Sequence, residues 1–285
     1  MNFSMVVVKT KKELLSELNN IDSSIALGLV PTMGALHQGH ASLIKKAVSE
    51  NQKVVVSIFV NPTQFNNKED LVKYPKTLDA DINLISAISK EIIVFVPEVS
   101  ELYPKQVKTK IYHFDGLDKV MEGEFRDNHF NGVGTIVEAL LNLIKPTRAY
   151  FGEKDYQQLR IIQKLVEIQQ IPVEIIGCEI VREKHGLAMS SRNERLSKKI
   201  RQKAEFIYET LKTAKQKFGT ESVLDVKEWV VKQFNDNIDF QLEYFEITDV
   251  NTLTPIIKKN TNTKQRAFIA VYAEEVRLID NIALN

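Results

Sequence analysis

The sequence has one cysteine and one tryptophan in 285 residues, and almost no net charge: Lys and Arg total 38 against 37 Asp and Glu, a formal +1. Cys178 alone cannot close an intramolecular disulfide, and no Cys/His spacing of the structural zinc type surrounds it, so a reducing, cytoplasmic setting is expected. Without an excess of basic residues there is no general electrostatic grip on nucleic acid and no basis for a membrane-surface role. No stretch reaches the roughly 18 apolar residues of a membrane span. The short apolar run near the N-terminus precedes Lys9, Lys11 and Lys12, the reverse of a secretory signal's order. Several familiar chemistries are also missing. There is no Gly-x-x-x-x-Gly-Lys-Ser/Thr loop, no Gly-x-Ser-x-Gly elbow and no His-Glu-x-x-His helix, and Gly132-Val133-Gly134 lacks the third glycine of a dinucleotide fingerprint.

What is present is a globular composition, 44% hydrophobic and 26% charged, long enough for two unequal domains. Short apolar runs at 25–30, 54–60, 92–96, 149–151 and 173–176 read as strands. Helical spacing occupies 41–50, 77–90, 133–144 and 155–169 between them, the alternation expected of βαβ units. The run from Val54 to Val60 is apolar nearly throughout, as in a strand covered on both faces, so the sheet is expected to be parallel, with its binding crevice at the carboxyl ends of the strands. After about residue 183 the pattern changes. Helices at 198–217 and 222–235 precede strands beginning at Phe240, across 267–272 and at 276–279. The expected architecture is α/β: a Rossmann-like parallel sheet flanked by helices over 1–180, with a smaller α+β domain over 181–285 closing over the site.

Four segments leaving strands carry candidate chemistry. From Val30 to His40, Met33-Gly34-Ala35-Leu36-His37-Gln38-Gly39-His40 brings two imidazoles, three residues apart across a glycine, to a helix N-terminus, a donor-rich place for an anion. The same pair also suits helix capping, or a partial zinc site lacking an obvious third ligand. Asn61-Pro62-Thr63-Gln64-Phe65 follows the most apolar strand, where Asn61 and Gln64 can both donate and accept; alone it also reads as an ordinary turn. Phe151-Gly152-Glu153-Lys154-Asp155-Tyr156-Gln157-Gln158 offers a point charge for phosphate at Lys154, or simply a helix start with a solvated lysine. Met189-Ser190-Ser191-Arg192-Asn193 offers two hydroxyls and a fork-shaped cation, or a serine cap with a surface arginine.

Taken together, these segments resemble the pantothenate synthetase (pantoate–beta-alanine ligase) family, within the nucleotidyltransferase superfamily defined by a His-x-Gly-His type motif. The segment from Val30 to His40 is similar to the family's first signature, with Gln38 where an acidic residue is common. Ser57 to Phe65 is similar to its second, and Tyr74 to Leu78, Phe151 to Asp155, Gln157-Gln158 and Gly186 to Asn193 complete the set. The likeness is dense over 25–195 and looser beyond.

The resemblance implies an ATP-dependent ligase of coenzyme A biosynthesis. Pantoate and ATP give pantoyl adenylate and pyrophosphate, and β-alanine then displaces AMP. It implies that His40, His37, Lys154, Ser190, Ser191 and Arg192 act on the triphosphate. It places ATP against Met33 to His40, Gly152 to Asp155, Val181 and Met189 to Arg192. Gln64, Gln158, Asn61, Arg126 and His129 would serve pantoate and β-alanine, and Asp81 would help hold Mg2+. No prosthetic group is implied, the partners are small molecules rather than nucleic acid or membrane, and the assembly is a homodimer. A polar stretch at 66–70, or that at 105–110, is a candidate gate. Two other readings use the same histidines: a nucleotidyltransferase acting on a phosphorylated acceptor, and a nucleotide-binding regulator without catalysis.

Overall fold

The computed structural model describes residues 5–65 and 68–285; Asn66 and Asn67 of the polar stretch lie outside the described residues. In chain order the first part runs β1 (Val6–Val8), α1 (Lys11–Asn19), β2 (Leu27–Thr32), α2 (Gln38–Glu50), β3 (Lys53–Ile58), α3 (Lys68–Lys73), α4 (Leu78–Ile88), β4 (Ile93–Phe95), α5 (Val99–Leu102), α6 (Glu122–Phe125), α7 (His129–Ile144), β5 (Arg148–Gly152), α8 (Tyr156–Ile168) and β6 (Glu174–Cys178). The second part is α9 (Lys198–Lys203), α10 (Glu205–Thr220), α11 (Val223–Asn235), β7 (Phe240–Asp249), β8 (Gln265–Ala273) and β9 (Val276–Ala283).

Strands β1 to β6 form one all-parallel sheet in the order β1-β4-β3-β2-β5-β6. Side-chain alternation explains its unbroken apolar runs. Leu29, Val55 and Phe95 pack with α1, α7 and α8 on one face, while Val30, Val54, Val56 and Val94 pack with α2 and α4 on the other. The order reverses between β2 and β5, so the connections leaving these two neighbours diverge to opposite faces. A crevice opens there at their carboxyl ends, the expected binding position in an open parallel sheet.

The small sheet is antiparallel, β7-β8-β9. Its inner face, including Ile247, Ile269 and Val271, is covered by α10 and α11. From its other face, Phe268 lies 5.9 Å from Tyr156 of α8 and Tyr244 stacks on Phe125 at 5.6 Å.

Some expectations shift. The helix read over 198–217 is two, parted at Ala204, whose N–H is shared between the Ile200 and Arg201 carbonyls in a tightened turn. The last strand reaches Ala283 because it pairs with β8 along its whole length. Edge strand β1 joins the parallel sheet through β4, a pairing that its three valines did not announce.

Candidate active site

The loop after β2 is built around a buried carboxylate. Thr32 Oγ1 donates to Ser57 O and accepts from Gly34 N, and the chain then turns through positive φ at Gly34 (78°) and Ala35 (49°). Asp81 of α4, only 2% exposed, accepts from Ala35 N (3.0 Å) and Leu36 N (2.8 Å), and from Thr77 Oγ1. A side chain at Gly34 would come within 3.0 Å of that carboxylate. Asp81, implied by the resemblance as a magnesium ligand, therefore has both oxygens engaged by the loop. Among the described residues no three His, Cys, Asp or Glu side chains are grouped to hold a metal.

The loop delivers the two histidines to α2 as its caps. His37 is the N-cap and accepts from Gly39 N through Nδ1 at 3.1 Å; His40 reaches back and accepts from His37 N through its own Nδ1 at 3.3 Å. The capping alternative and the active-site alternative are thus compatible. An imidazole nitrogen that accepts an amide hydrogen carries no proton, which assigns each neutral ring its proton at Nε2, the nitrogen free to donate. Burial, reinforced by Lys154, lowers the His37 pKa to about 4. Burial, then His37 and Lys154, lower that of His40 to about 3. The ring centroids are 4.1 Å apart. Gly39 serves this pair: a Cβ there would lie 2.8 Å from His37 Cε1, so the glycine makes room for the ring.

One cleft gathers most of the expected residues. Met33, His37, Gly39, His40, Asn61, Gln64, Arg126, His129, Gly152, Lys154, Asp155, Gln158, Val181, Met189, Ser190, Ser191 and Arg192 all line it. Gly34, Ala35, Leu36, Gln38 and Glu153 do not: Leu36 packs into the core, Gln38 is exposed, and Glu153 pairs with Arg266 of β8 at 3.2 Å.

Within the cleft some polar groups are committed and others are open. Asn61 is 1% exposed; it accepts from Tyr103 Oη and Thr63 Oγ1 and donates to Gln64 Oε1 and Gly132 O, so it positions Gln64. Gly132 permits this packing, since a Cβ would meet Thr63 O at 2.3 Å. The paired glutamines diverge. Gln157 holds the 117–122 segment through Leu117 O, Val120 O and Glu122 N, whereas Gln158 lines the cleft and its side chain makes no hydrogen bond to other described residues. His129 opens α7; its Nδ1–H donates to Gln64 O at 2.9 Å, and burial, with Arg126 next, lowers its pKa to about 3.

On the far wall Lys154 sits 3.4 Å from Asp155, and its backbone carbonyl, with that of Glu153, accepts from Asn281 Nδ2 of β9 at 2.9 Å. Ser190 caps the turn that carries Arg192. Arg192 Nη2 donates to Asp70 of α3 at 2.8 Å, and Ser191 Oγ lies 3.3 Å from Tyr74 Oη. Phe65 and Tyr74, which the sequence motifs include without a role, line the cleft, as does Glu179, and Asn281 stands behind it. Neither Glu179 nor Asn281 carried a signal in the sequence.

The chain matches the family model described as pantoate-beta-alanine ligase over residues 6–283. It is 52% identical to the pantothenate synthetase of Christiangramia forsetii, over 99% of this chain and 100% of that one. A pantothenate synthetase structure from Thermus thermophilus superposes with a TM-score of 0.90 at 38% identity, covering 98% and 99% of the two chains. The pantoate-beta-alanine ligase of Francisella tularensis, complexed with beta-gamma ATP and beta-alanine, matches with a TM-score of 0.81 at 36% identity over 99% and 98%. With a loop-capped histidine pair at the switch point of a six-stranded parallel sheet and this similarity along nearly its whole length, the chain belongs to the pantoate-beta-alanine ligase family.

Proposed function

We infer that this chain condenses (R)-pantoate with β-alanine to pantothenate, with cleavage of ATP to AMP and pyrophosphate. The pantoate carboxylate oxygen attacks the α-phosphorus and pyrophosphate leaves. The β-alanine nitrogen then attacks the acyl carbon, AMP leaves, and the amine's protons pass to solvent or base. Adenylation is needed because an amine cannot expel oxide from a carboxylate.

The observation that carries this reading is the histidine pair, with both Nδ1 atoms accepting backbone amides and both rings held neutral beside Lys154. Two preset Nε2–H donors and a cation suit a phosphorus centre that gains negative charge in the transition state, without reorganisation at the moment of reaction. His40, His37, Lys154, Ser190, Ser191 and Arg192 are assigned to the triphosphate, and Gly152, Asp155, Val181, Met33 and Met189 to the rest of the nucleotide. Gln64, Gln158, Arg126 and His129 are assigned to pantoate and β-alanine, with Asn61 positioning Gln64. Mg2+ enters as part of the ATP substrate, held chiefly by phosphate oxygens. Asp81 shapes the histidine loop. The two-part division near residue 180 gives catalytic contacts to both parts, and the working form is read as a cytoplasmic homodimer.

The test is release of AMP and pyrophosphate from ATP, Mg2+ and pantoate, with and without β-alanine. Sustained AMP and pantothenate formation that needs both acids supports the assignment. ATP binding without turnover, or turnover on a phosphate-ester acceptor instead, overturns it.

A further inference from the structure

Glu122 opens α6 and is 7% exposed, yet its carboxylate is held from the other sheet. Arg277 of β9 donates to Oε2 and Oε1 at 2.7 and 2.8 Å, and Tyr244 Oη of β7 donates to Oε1 at 2.9 Å. Arg277 also donates through Nε and Nη2 to Glu243. Burial opposes ionisation of Glu122, but the Arg277 hydrogen bonds outweigh it and hold its pKa at about 2. Four residues along, Arg126 stands 3.6 Å from the same Oε2, and its hydrogen bond to Gln64 O is long, at 3.4 Å. A guanidinium has five N–H donors. Those of Arg126, which lines the reaction cleft, make only that one long hydrogen bond among the described residues.

Two arginines therefore flank one buried carboxylate, and Arg277 holds it. We propose that Arg277 is a positioning residue: by saturating Glu122 it keeps the Arg126 guanidinium in the cleft, free to grip the carboxylate of the hydroxy-acid substrate. This rests on the assignment of Arg126 to pantoate given above. A buried carboxylate stripped of its cation takes the next one within reach. Arg126 needs to move less than about 1 Å to form a charge-assisted hydrogen bond with it. Paired in that way, it would meet an incoming anion with its charge already compensated.

Steady-state kinetics of Arg126→Met, Arg277→Met and the double variant Glu122→Gln/Arg277→Met separate the alternatives, with thermal unfolding run alongside. The expected result is a pantoate KM raised about tenfold or more in both single variants, the loss of roughly one charge-assisted hydrogen bond. In Arg277→Met, kcat and the ATP KM should stay within about threefold of the parent. The double variant, with no carboxylate left to capture Arg126, should regain most of the pantoate KM although it has lost more of the contact between the sheets. If Arg126→Met leaves the pantoate KM unchanged, the assignment of Arg126 fails and the inference falls with it. If Arg126→Met raises it and Arg277→Met does not, the inference alone is overturned. A double variant no better than Arg277→Met also overturns it, by reducing Arg277 to a docking contact. Should Arg277→Met not fold, Arg277→Lys with and without Glu122→Gln gives the same comparison, since lysine keeps the charge but cannot hold both oxygens.

Discussion

In the proposed reaction one nitrogen of His40 has a structural duty and the other a chemical one. Nδ1 accepts the His37 amide, which holds the ring, and Nε2–H is left free to donate. Replacing His40 with alanine is expected to lower kcat by about 100-fold or more while changing ATP affinity by less than about threefold, the split expected of a donor used chiefly in the transition state. Rapid-quench turnover and calorimetric ATP titration measure the two halves; equal losses in both would point to a ground-state role. Asp81 gives a second test. In Asp81→Asn an amide N–H2 must face a loop N–H, so activity should fall about tenfold by disturbance of the histidine loop. The Mg2+ concentration giving half-maximal rate should stay the same, whereas a metal ligand would shift it upward. These roles were only half legible in the sequence. The spacing of His37 and His40 pointed to an anion site, but Asp81, more than forty residues away, offered nothing that separated a loop carboxylate from a metal ligand.

Among the elements, strands β2 to β6 and the long helices of the parallel sheet could be read directly because both faces are apolar and the runs are short, whereas edge strand β1 could not. The small pieces could not: α5 and α6 have four residues each, too few for any period to register. The glycines within α7 are a different case. Gly132 and Gly134 fail as a nucleotide fingerprint, and in the fold they admit a carbonyl of the 61–64 turn and the rings of Tyr112 and Phe114. Gly132→Ala forces a Cβ against Thr63 O, so the turn bearing Asn61 and Gln64 must lift from α7. We expect a loss of about 2–3 kcal/mol in denaturant unfolding and a raised pantoate KM, against a smaller effect at the open Gly219. Equal effects at the two glycines would contradict the packing account.

For the molecule as a whole, three histidines, His129 buried and His37 and His40 half-buried, set a common pH dependence. His37, His40 and His129 are held near 4, 3 and 3 when folded, against 6.5 for a free side chain. Between those limits the unfolded chain binds more protons than the native one, so stability rises with pH through this window and is lost as pH falls from about 6.5 towards 4. Glu122, held near 2, adds loss of the same sign at lower pH, below about 4.5. Thermal unfolding from pH 7.5 to 4.5 should show Tm falling steadily below about 6.5, with a shallower slope in His129→Gln; an unchanged slope in that variant would mean that His129 is not buried neutral. The charge balance and single cysteine gave no hint of this, because the effect comes from burial and not from composition.

The grip of Asn281 on the carbonyls of Glu153 and Lys154 also has a consequence in time. Ribosomes make β9 after every other strand, so the turn that carries Lys154 waits for its clamp until synthesis has passed residue 281. Until then a nascent chain has its histidines but lacks the brace behind the turn that carries Lys154.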